Sequence, residues 1–351
     1  TTEPTALSVA EFQRASGKDL LTAVIIGGDI GARMAVADVF DFDKNFEVCG
    51  TANAYGATAL VGRLLGASHE QLVNAYGILL HLMGGSYQSL WDGVDTFKLP
   101  GAMAAYNAVL SVQMAMAGFK GVKDPMTSPL GYFAMYGNQS QPERAMDELG
   151  KVFYAKGMHK LHPSCYGNHN PIECALELLQ QHAFDVQEID TIELDVPPNR
   201  VKHFLNQPMA LNDEQPRSLF SIPYAIANVL ARKEVQLAHY TEPHIRDPQV
   251  VALSQRVTLV PRLPLGNNQA SRLTVTLKNG SVLSTYRDAP RGWLVNPVTA
   301  EEVREKYWRN IAFSGVVHHA QAAQALDMLD RLEEIDDVSA LVPFLVGGAA
   351  Q

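Results

Sequence analysis

Hydrophobic positions recur with a helical period over the first third of the chain, from about residue 20 to about residue 118. Ser68 and Gln71 stand at the spacing of a capping box, which predicts a helix that begins after Ser68. The segment 102–117 is apolar on nearly every side, so we predict a buried helix there. Its alanines and methionines suit close packing between helices better than a cofactor site.

The pattern changes towards the middle of the chain. Residues 190–196 alternate between apolar and polar side chains, which predicts a half-buried strand with Asp195 facing outward. Further strands are predicted at the segments 256–260, 272–278 and 281–286. Asn279-Gly280, between the last two segments, is typical of a two-residue hairpin turn. A capping box at residues 299–302 then opens a helical stretch that continues to about residue 345.

This order of elements predicts a mainly α protein with an α+β lid. We expect a large all-helical domain, residues 1–158 and 299–351, into which an α+β domain, residues 159–298, is inserted. A doubly wound sheet fits the order less well. The glycine-rich segment 27–31 lacks the G-x-G-x-x-G spacing and no βαβ pattern follows it, so the sequence does not favour a dinucleotide-binding site.

Composition narrows the class of protein. The 351 residues are 47% hydrophobic and 19% charged, with a net charge of −9, which argues against nucleic acid as a partner. Three scattered cysteines argue against a disulfide framework and for a reducing compartment, the cytoplasm. The spacings of a structural zinc site are absent, as is an uninterrupted apolar run of membrane-spanning length. The chain begins at Thr1, and we expect that it lacks its native N-terminus.

Residues 158–169, which we call the histidine segment, hold more side chains able to bind anions or transfer protons than any other stretch of this length that we single out. It holds one lysine, three histidines and one thiol. Lys160 and His162 project to the same side of an extended chain, and histidine is the side chain most suited to acid/base chemistry near neutral pH, so His162 is a candidate acid/base group. His169 comes just before a predicted helix, where it either caps that helix or helps to bind an anion.

Two residues elsewhere carry competing interpretations. Lys98 precedes the apolar helix, where a helix N-terminus already favours an anion; it is either a carboxylate ligand or a solvated loop lysine. Tyr224 lies at the start of another apolar helix. It is either a buried tyrosine with a satisfied hydroxyl or a donor to a substrate carboxylate.

The chain resembles the MmgE/PrpD family, which includes 2-methylcitrate dehydratase, cis-aconitate decarboxylase and iminodisuccinate epimerase. The matching blocks, in order, are GKDLLTA at 17–23 leading to Ala32-Arg33, GTANAYGA at 50–57, TFKLPGAMAA at 96–105, KLHPSC at 160–165, FSIPY at 220–224, PRG at 290–292 and Asn296-Pro297. The resemblance implies a homodimer and chemistry without a metal or an organic cofactor. It also implies that Lys98, Lys160 and Tyr224 bind the carboxylates of a small di- or tricarboxylate.

The chain departs from the family pattern at two places. Glu47 stands where the family has an active-site histidine, which predicts a less anionic substrate, a different reaction or lost activity. The family's upstream L-D-[FY]-[DN]-D segment has no counterpart in this sequence. His162 stands where the family has Tyr or Phe, and we expect that it replaces a missing histidine.

We therefore expect a cytoplasmic, homodimeric, cofactor-independent lyase of a small hydroxy- or unsaturated carboxylic acid, without a nucleic-acid or membrane partner. The expected catalytic residues are Glu47, Lys98, Lys160, His162 and Tyr224, and the expected substrate-binding residues are Lys98, Lys160, His169 and Tyr224. The alternatives are an isomerase or epimerase of a small dicarboxylate, and a non-catalytic partner subunit or ligand-binding protein.

Overall fold

The structure, a computed structural model, describes residues 1–38, 46–137, 139–154 and 157–347. In chain order the helices are α1 (Thr2–Gln13), α2 (Gly17–Ala37), α3 (Ala52–Leu65), α4 (His69–Leu79), α5 (Gln88–Asp92), α6 (Leu99–Met116), α7 (Tyr132–Tyr136), α8 (His169–Gln181), α9 (Gln215–Leu219), α10 (Ile222–Arg232), α11 (Pro248–Ser254), α12 (Ala300–Ser314) and α13 (His319–Asp330). The strands are β1 (Ile189–Asp195), β2 (Val257–Val260), β3 (Ser271–Leu277) and β4 (Val282–Arg287).

The chain folds into two compact units. The first comprises residues 1–87, 96–156 and 314–351, and the second comprises residues 88–95 and 157–313. The second unit therefore includes α12, which the sequence analysis assigned to the helical domain. The domain boundaries at 159 and 298 stay a prediction.

The first unit is built around the pair α2 and α3. A Cβ placed on Gly56 would lie 2.2 Å from the carbonyl oxygen of Gly27, so the two backbones approach at a distance that only glycine permits. Buried alanine and leucine side chains, among them Ala57 and Leu60, fill the core beside this contact. α1, α4 and α6 pack around α3 and complete the unit's helical layers.

α2 is long and apolar enough to cross a membrane by length and composition. Its interior face, however, holds an ion pair between Arg33 and Asp29, with 2.7 Å between Nε and Oδ2. The Arg33 guanidinium also donates to the carbonyls of Asp147, at 2.7 Å, and Val152, at 2.5 Å. These polar contacts, together with the packing on α3, make α2 a core helix of the first unit.

The prediction of a helix buried on nearly every side at 102–117 is wrong in part. α6 begins earlier, at Leu99, because a proline fits the first turn of a helix. Its inner face packs on α3 and α4, but Met103 and Tyr106 on the other face are 46% and 63% exposed. A helix in an outer layer buries only one face, so apolar composition alone overstates its burial.

A four-stranded mixed sheet forms the centre of the second unit, in the order β2-β1-β3-β4. β1 runs parallel to β2 and antiparallel to β3, and β3 and β4 form an antiparallel hairpin. The predicted hairpin is present, but its loop has three residues, 278–280, rather than two: the Leu277 amide donates to the Ser281 carbonyl at 2.8 Å, and Gly280 closes the turn at φ 87°. Asp195 lies on the same side of β1 as Glu193, as predicted, but it is buried there, because the guanidinium of Arg262 binds its carboxylate at 3.0 Å.

The predicted fold class is confirmed: a mainly helical chain with a small α+β part. The structure also confirms both predicted capping boxes. Ser68 accepts a hydrogen bond from the Gln71 amide at the start of α4, and the Thr299 hydroxyl accepts one from the Glu302 amide at the start of α12. In the second unit, α8 packs against β3 and β4, which places the histidine segment beside the sheet.

Candidate functional site

The histidine segment is anchored by main-chain hydrogen bonds within the second unit. The amide of His159 donates to the carbonyl of Gly292 at 3.0 Å, and the amide of Cys165 donates to the carbonyl of Leu219 at 2.9 Å. Gly292 has a φ of 88°, and a Cβ there would lie 2.0 Å from the His159 carbonyl oxygen. Only glycine fits this corner, so the position of Lys160, next in the chain, depends on Gly292.

Glu173, on α8, lies at the centre of a charged cluster behind the histidine segment. Arg287 binds one carboxylate oxygen at 2.8 Å, and the main-chain amide of Arg291 donates to both oxygens at 2.8 and 3.0 Å. His162 Nε2 lies 3.7 Å from Glu173 Oε1, which is too long for a hydrogen bond but close enough for attraction in a buried site. The arrangement places a fixed negative charge beside the His162 ring.

His169 is fully buried as the first residue of α8. Its ring stacks on Tyr166, with 4.7 Å between centroids, and lies 5.0 Å from the ring of His162. Burial and the charges of His162 and Lys160 lower the pKa of His169 to about 2, so the imidazole is neutral at physiological pH. Within the described residues neither ring nitrogen has a hydrogen-bond partner of good geometry, so His169 does not cap the helix and its alternative role in anion binding remains.

Tyr166 and Lys160 complete this part of the second unit. The Tyr166 ring lies 5.3 Å from that of Trp293, and burial and the charge of Glu173 raise the pKa of its hydroxyl to about 12. Lys160 is exposed, and its ammonium makes no ion pair within the parts of the chain that are described. A neutral phenol, a neutral imidazole and an uncompensated ammonium are therefore available to an anionic ligand.

Tyr224 is in the core of the second unit. Its side chain is fully buried, and its hydroxyl donates to the main-chain carbonyl of His239 at 2.6 Å. Burial raises the pKa of the hydroxyl to about 12. A satisfied, buried tyrosine accounts for these contacts, and a role of Tyr224 in substrate binding stays a prediction.

Glu47 lies in the first unit, immediately before a short 3-10 turn at Val48–Gly50. Its amide donates to the carbonyl of Gly85 at 3.0 Å, which pins the residue beside that loop. Burial raises the pKa of the carboxyl, against the opposing effect of hydrogen bonds from Cys49. Among the described residues Oε2 is buried without a partner. The carboxyl is therefore partly protonated at a higher pH than an exposed glutamate, as a proton donor requires.

Lys98 directly precedes α6, as the sequence predicts, and it is exposed. Its ammonium lies 5.5 Å from the centroid of the Phe97 ring. A Cβ on Gly85 would lie 2.8 Å from Pro100 and 3.6 Å from the Cβ of Glu47, so Glu47 and the N-terminus of α6 meet at this glycine. The first unit thus brings Glu47 to the end of the helix that carries Lys98.

The predicted site residues fall into two groups. Glu47 and Lys98 belong to the first unit, and Lys160, His162, His169 and Tyr224 belong to the second. Sequence reasoning missed Glu173 and Arg291, although the PRG block that contains Arg291 was one of the family-like blocks. A search of the described residues finds no group of three or more His, Cys, Asp or Glu side chains that could hold a metal ion.

Two models of known protein-family domains match this chain. The model of the MmgE/PrpD N-terminal domain matches residues 1–145, and that of the MmgE/PrpD C-terminal domain matches residues 162–334. The chain belongs to the MmgE/PrpD family, as its sequence blocks indicate.

Two relatives with similar sequences are both cis-aconitate decarboxylases, from human and mouse. Human cis-aconitate decarboxylase is 24% identical over 313 residues, which cover 84% of this chain and 62% of that protein. The mouse cis-aconitate decarboxylase is 23% identical over 327 residues, which cover 87% of this chain and 64% of that protein. The chain therefore spans less than two thirds of the length of these relatives.

Proposed function

We propose that this protein is a cofactor-independent lyase that acts on a small hydroxy- or unsaturated carboxylic acid by proton abstraction and elimination. Membership of the MmgE/PrpD family and the two decarboxylase relatives support the reaction class. The observation that carries the proposal is His162 beside the buried carboxylate of Glu173, with 3.7 Å between Nε2 and Oε1. A histidine with a fixed negative charge behind it is suited to accept a proton.

In a dehydration, His162 removes the proton next to a substrate carboxylate. The electron pair of the broken C–H bond forms the new C=C bond, and the β-hydroxyl leaves as water with a proton from an acid. The Glu173 carboxylate stabilises the imidazolium that forms, and it keeps its position because Arg287 and the Arg291 amide hold it. The sequence pattern leaves Glu47, in the first unit, as a candidate acid, and burial raises the pKa of its carboxyl.

Lys160 and the neutral His169 are our candidates for binding the substrate carboxylate in the second unit. An ammonium and an imidazole N–H both donate to a carboxylate, and neither has a competing ion pair within the described chain. Lys98 and Tyr224 remain candidates on the strength of the family blocks. Of these two, Tyr224 would first have to give up its hydrogen bond to the His239 carbonyl.

The test is a panel of small hydroxy- and unsaturated carboxylic acids, followed by proton NMR in deuterated water. We expect solvent deuterium to enter the carbon next to a carboxylate and an unsaturated product to form. His162→Phe should lower kcat by about 10²- to 10⁴-fold. His69→Phe is the matched control, because His69 is an exposed histidine of the first unit and should leave kcat unchanged.

The results of these assays distinguish a lyase from an isomerase or epimerase and from a non-catalytic protein. Unchanged turnover in His162→Phe would rule out His162 as the base. Stereochemical inversion without a change in substrate mass would instead identify an isomerase or epimerase. A folded protein that binds acids from the panel but exchanges no proton would be the non-catalytic ligand-binding homologue.

A further inference from the structure

Two stacked rings of the second unit carry polar atoms that the protein leaves unpaired. The rings of Tyr166 and His169 lie 4.7 Å apart at an angle of 14°, and the ring of His162 lies 5.0 Å from that of His169. In the described chain, the Tyr166 hydroxyl and both ring nitrogens of His169 are buried without a hydrogen-bond partner of good geometry. Buried polar atoms are nearly always paired, so these three indicate that a polar ligand completes their hydrogen bonds.

The fold of the second unit determines where the Tyr166 hydroxyl lies. Besides stacking on His169, the Tyr166 ring lies 5.3 Å from the ring of Trp293. Its main chain enters a short 3-10 turn, in which the Gly167 carbonyl accepts a hydrogen bond from Nη2 of Arg200 at 3.0 Å. Arg200 is itself buried, so this anchor belongs to the core. Ring and main chain are thus held independently of any ligand.

The Tyr166 hydroxyl also has a proton to donate. Burial and the charge of Glu173 raise its pKa to about 12, so the phenol stays protonated throughout the physiological pH range. Tyr224 is different, because its hydroxyl already donates to the His239 carbonyl at 2.6 Å. A phenol has one donor position, and at Tyr166 no group of the described chain occupies it.

We infer that Tyr166 is the general acid of the elimination, and that its hydroxyl protonates the leaving oxygen of the substrate. The inference rests on the proposed function, since it supplies the acid that a dehydration requires. It gives this role, for which the sequence pattern leaves Glu47 as a candidate, to a residue of the unit that also holds the base His162.

Base and acid then act on neighbouring carbons of the substrate. The proton next to the carboxylate moves to His162, and the electron pair of the C–H bond forms the C=C bond. The C–O bond at the β-carbon breaks, its electron pair stays on the oxygen, and the Tyr166 proton converts that oxygen to water. Proton transfer from the resulting imidazolium to the resulting phenolate restores both side chains, so the net products are one unsaturated acid and one water.

The experiment compares two leaving groups, because hydroxide needs a proton in order to leave and chloride does not. Malate is paired with chlorosuccinate, and 3-hydroxybutyrate with 3-chlorobutyrate, and the new C=C bond is followed in the ultraviolet. Tyr166→Phe should lower kcat for the hydroxy acids about 10²- to 10⁴-fold and leave kcat for the chloro acids nearly unchanged. His162→Phe should lower kcat for both kinds of acid, because both eliminations need the base.

Tyr286→Phe is the matched control, because it removes a hydroxyl group from an exposed tyrosine of β4 in the same second unit. All four acids should react in this variant as they do with the unaltered protein.

A fluorinated tyrosine at position 166 provides a second test that keeps both the ring and the hydroxyl. Fluorine makes the phenol more acidic, so the proton donor is lost at a lower pH. The rate with the hydroxy acids should therefore fall at a lower pH than in the unaltered protein, whereas the rate with the chloro acids should keep its original pH profile.

An equal loss of both eliminations in Tyr166→Phe would overturn the inference, because a merely structural ring affects both leaving groups alike. Unchanged kcat for the hydroxy acids in that variant would also overturn it, and the lyase proposal would then stand with another acid. If the unaltered protein converts none of these acids and no other acid of the panel, the proposed function and the inference fall together.

Discussion

The imidazole of His169 is held in the interior of the second unit between the rings of Tyr166 and His162. Its pKa of about 2 lies well below the ordinary value of 6.5. Between these two values the unfolded chain binds a proton at this side chain and the folded chain does not. His169 therefore favours the folded state above about pH 6.5, and this contribution is lost as the pH falls below that value.

His169→Gln should accordingly flatten the dependence of stability on pH. A single group of this kind contributes at most about 1.4 kcal/mol per pH unit to the free energy of unfolding. Urea denaturation between about pH 5 and pH 7 measures this slope for the variant and the unaltered protein. His69→Gln, at an exposed site, should keep the original slope. The same slope in His169→Gln and the unaltered protein would contradict a neutral, buried His169.

Tyr224→Phe separates the two interpretations of that tyrosine. Without its hydroxyl, the His239 carbonyl loses a 2.6 Å hydrogen bond in the core, which should lower the free energy of unfolding by about 1–3 kcal/mol. If the hydroxyl is structural only, KM for the acid that turns over should stay unchanged in steady-state assays. A several-fold rise in KM with little loss of stability would favour the substrate-binding role instead.

At the scale of elements, α2 organises the first unit through one buried ion pair. Arg33 joins Asp29 on α2 to carbonyls of the 142–154 segment, and the second oxygen of Asp29 accepts a hydrogen bond from the Tyr154 amide at 2.7 Å. Side chains and main chain thus satisfy both charges in the interior. A helix with this charge pattern stabilises a long connecting segment as well as the core.

Arg33→Met should be strongly destabilising for this reason. It leaves the Asp29 carboxylate buried and without its cation, and we expect a loss of about 3–5 kcal/mol in the free energy of unfolding. Hydrogen exchange should also quicken at residues 142–154. Arg63→Met is the control, because its 3.4 Å pair with Asp19 is about half exposed, and it should cost less than about 1 kcal/mol. Equal effects of the two substitutions would refute the anchoring role of Arg33.

Elements that depend on neighbouring residues were predictable from the sequence. The capping box at Ser68 and the turn at Gly280 each involve residues at most four positions apart, so local pattern suffices. The burial of Asp195 was not predictable, because it depends on Arg262, 67 residues away. The same holds for the candidate site: the histidine segment could be predicted, but the contact of Glu173 with Arg291 joins residues 118 positions apart.

At the scale of the whole molecule, the family resemblance implies a homodimer, and we propose that the protein associates in this way. Several large apolar side chains stay exposed in the described parts of the chain, and association would remove such surface from water. Light scattering on the purified protein should give twice the mass of one chain. A concentration-independent mass of one chain would contradict the homodimer, and a second polypeptide in the complex would point to a split enzyme.

The corner at Gly292 also determines when the histidine segment can take its shape during synthesis. The His159 amide and the Gly292 carbonyl are 133 positions apart, and Glu173 is 118 positions from the amide of Arg291 that it binds. A ribosome-bound chain that ends before this corner has all the residues of the segment, and Leu219 to hold Cys165, but it lacks the contacts that hold His159 and Glu173. Acid binding by the second unit should therefore appear late and abruptly along the growing chain, because contacts between distant residues form last.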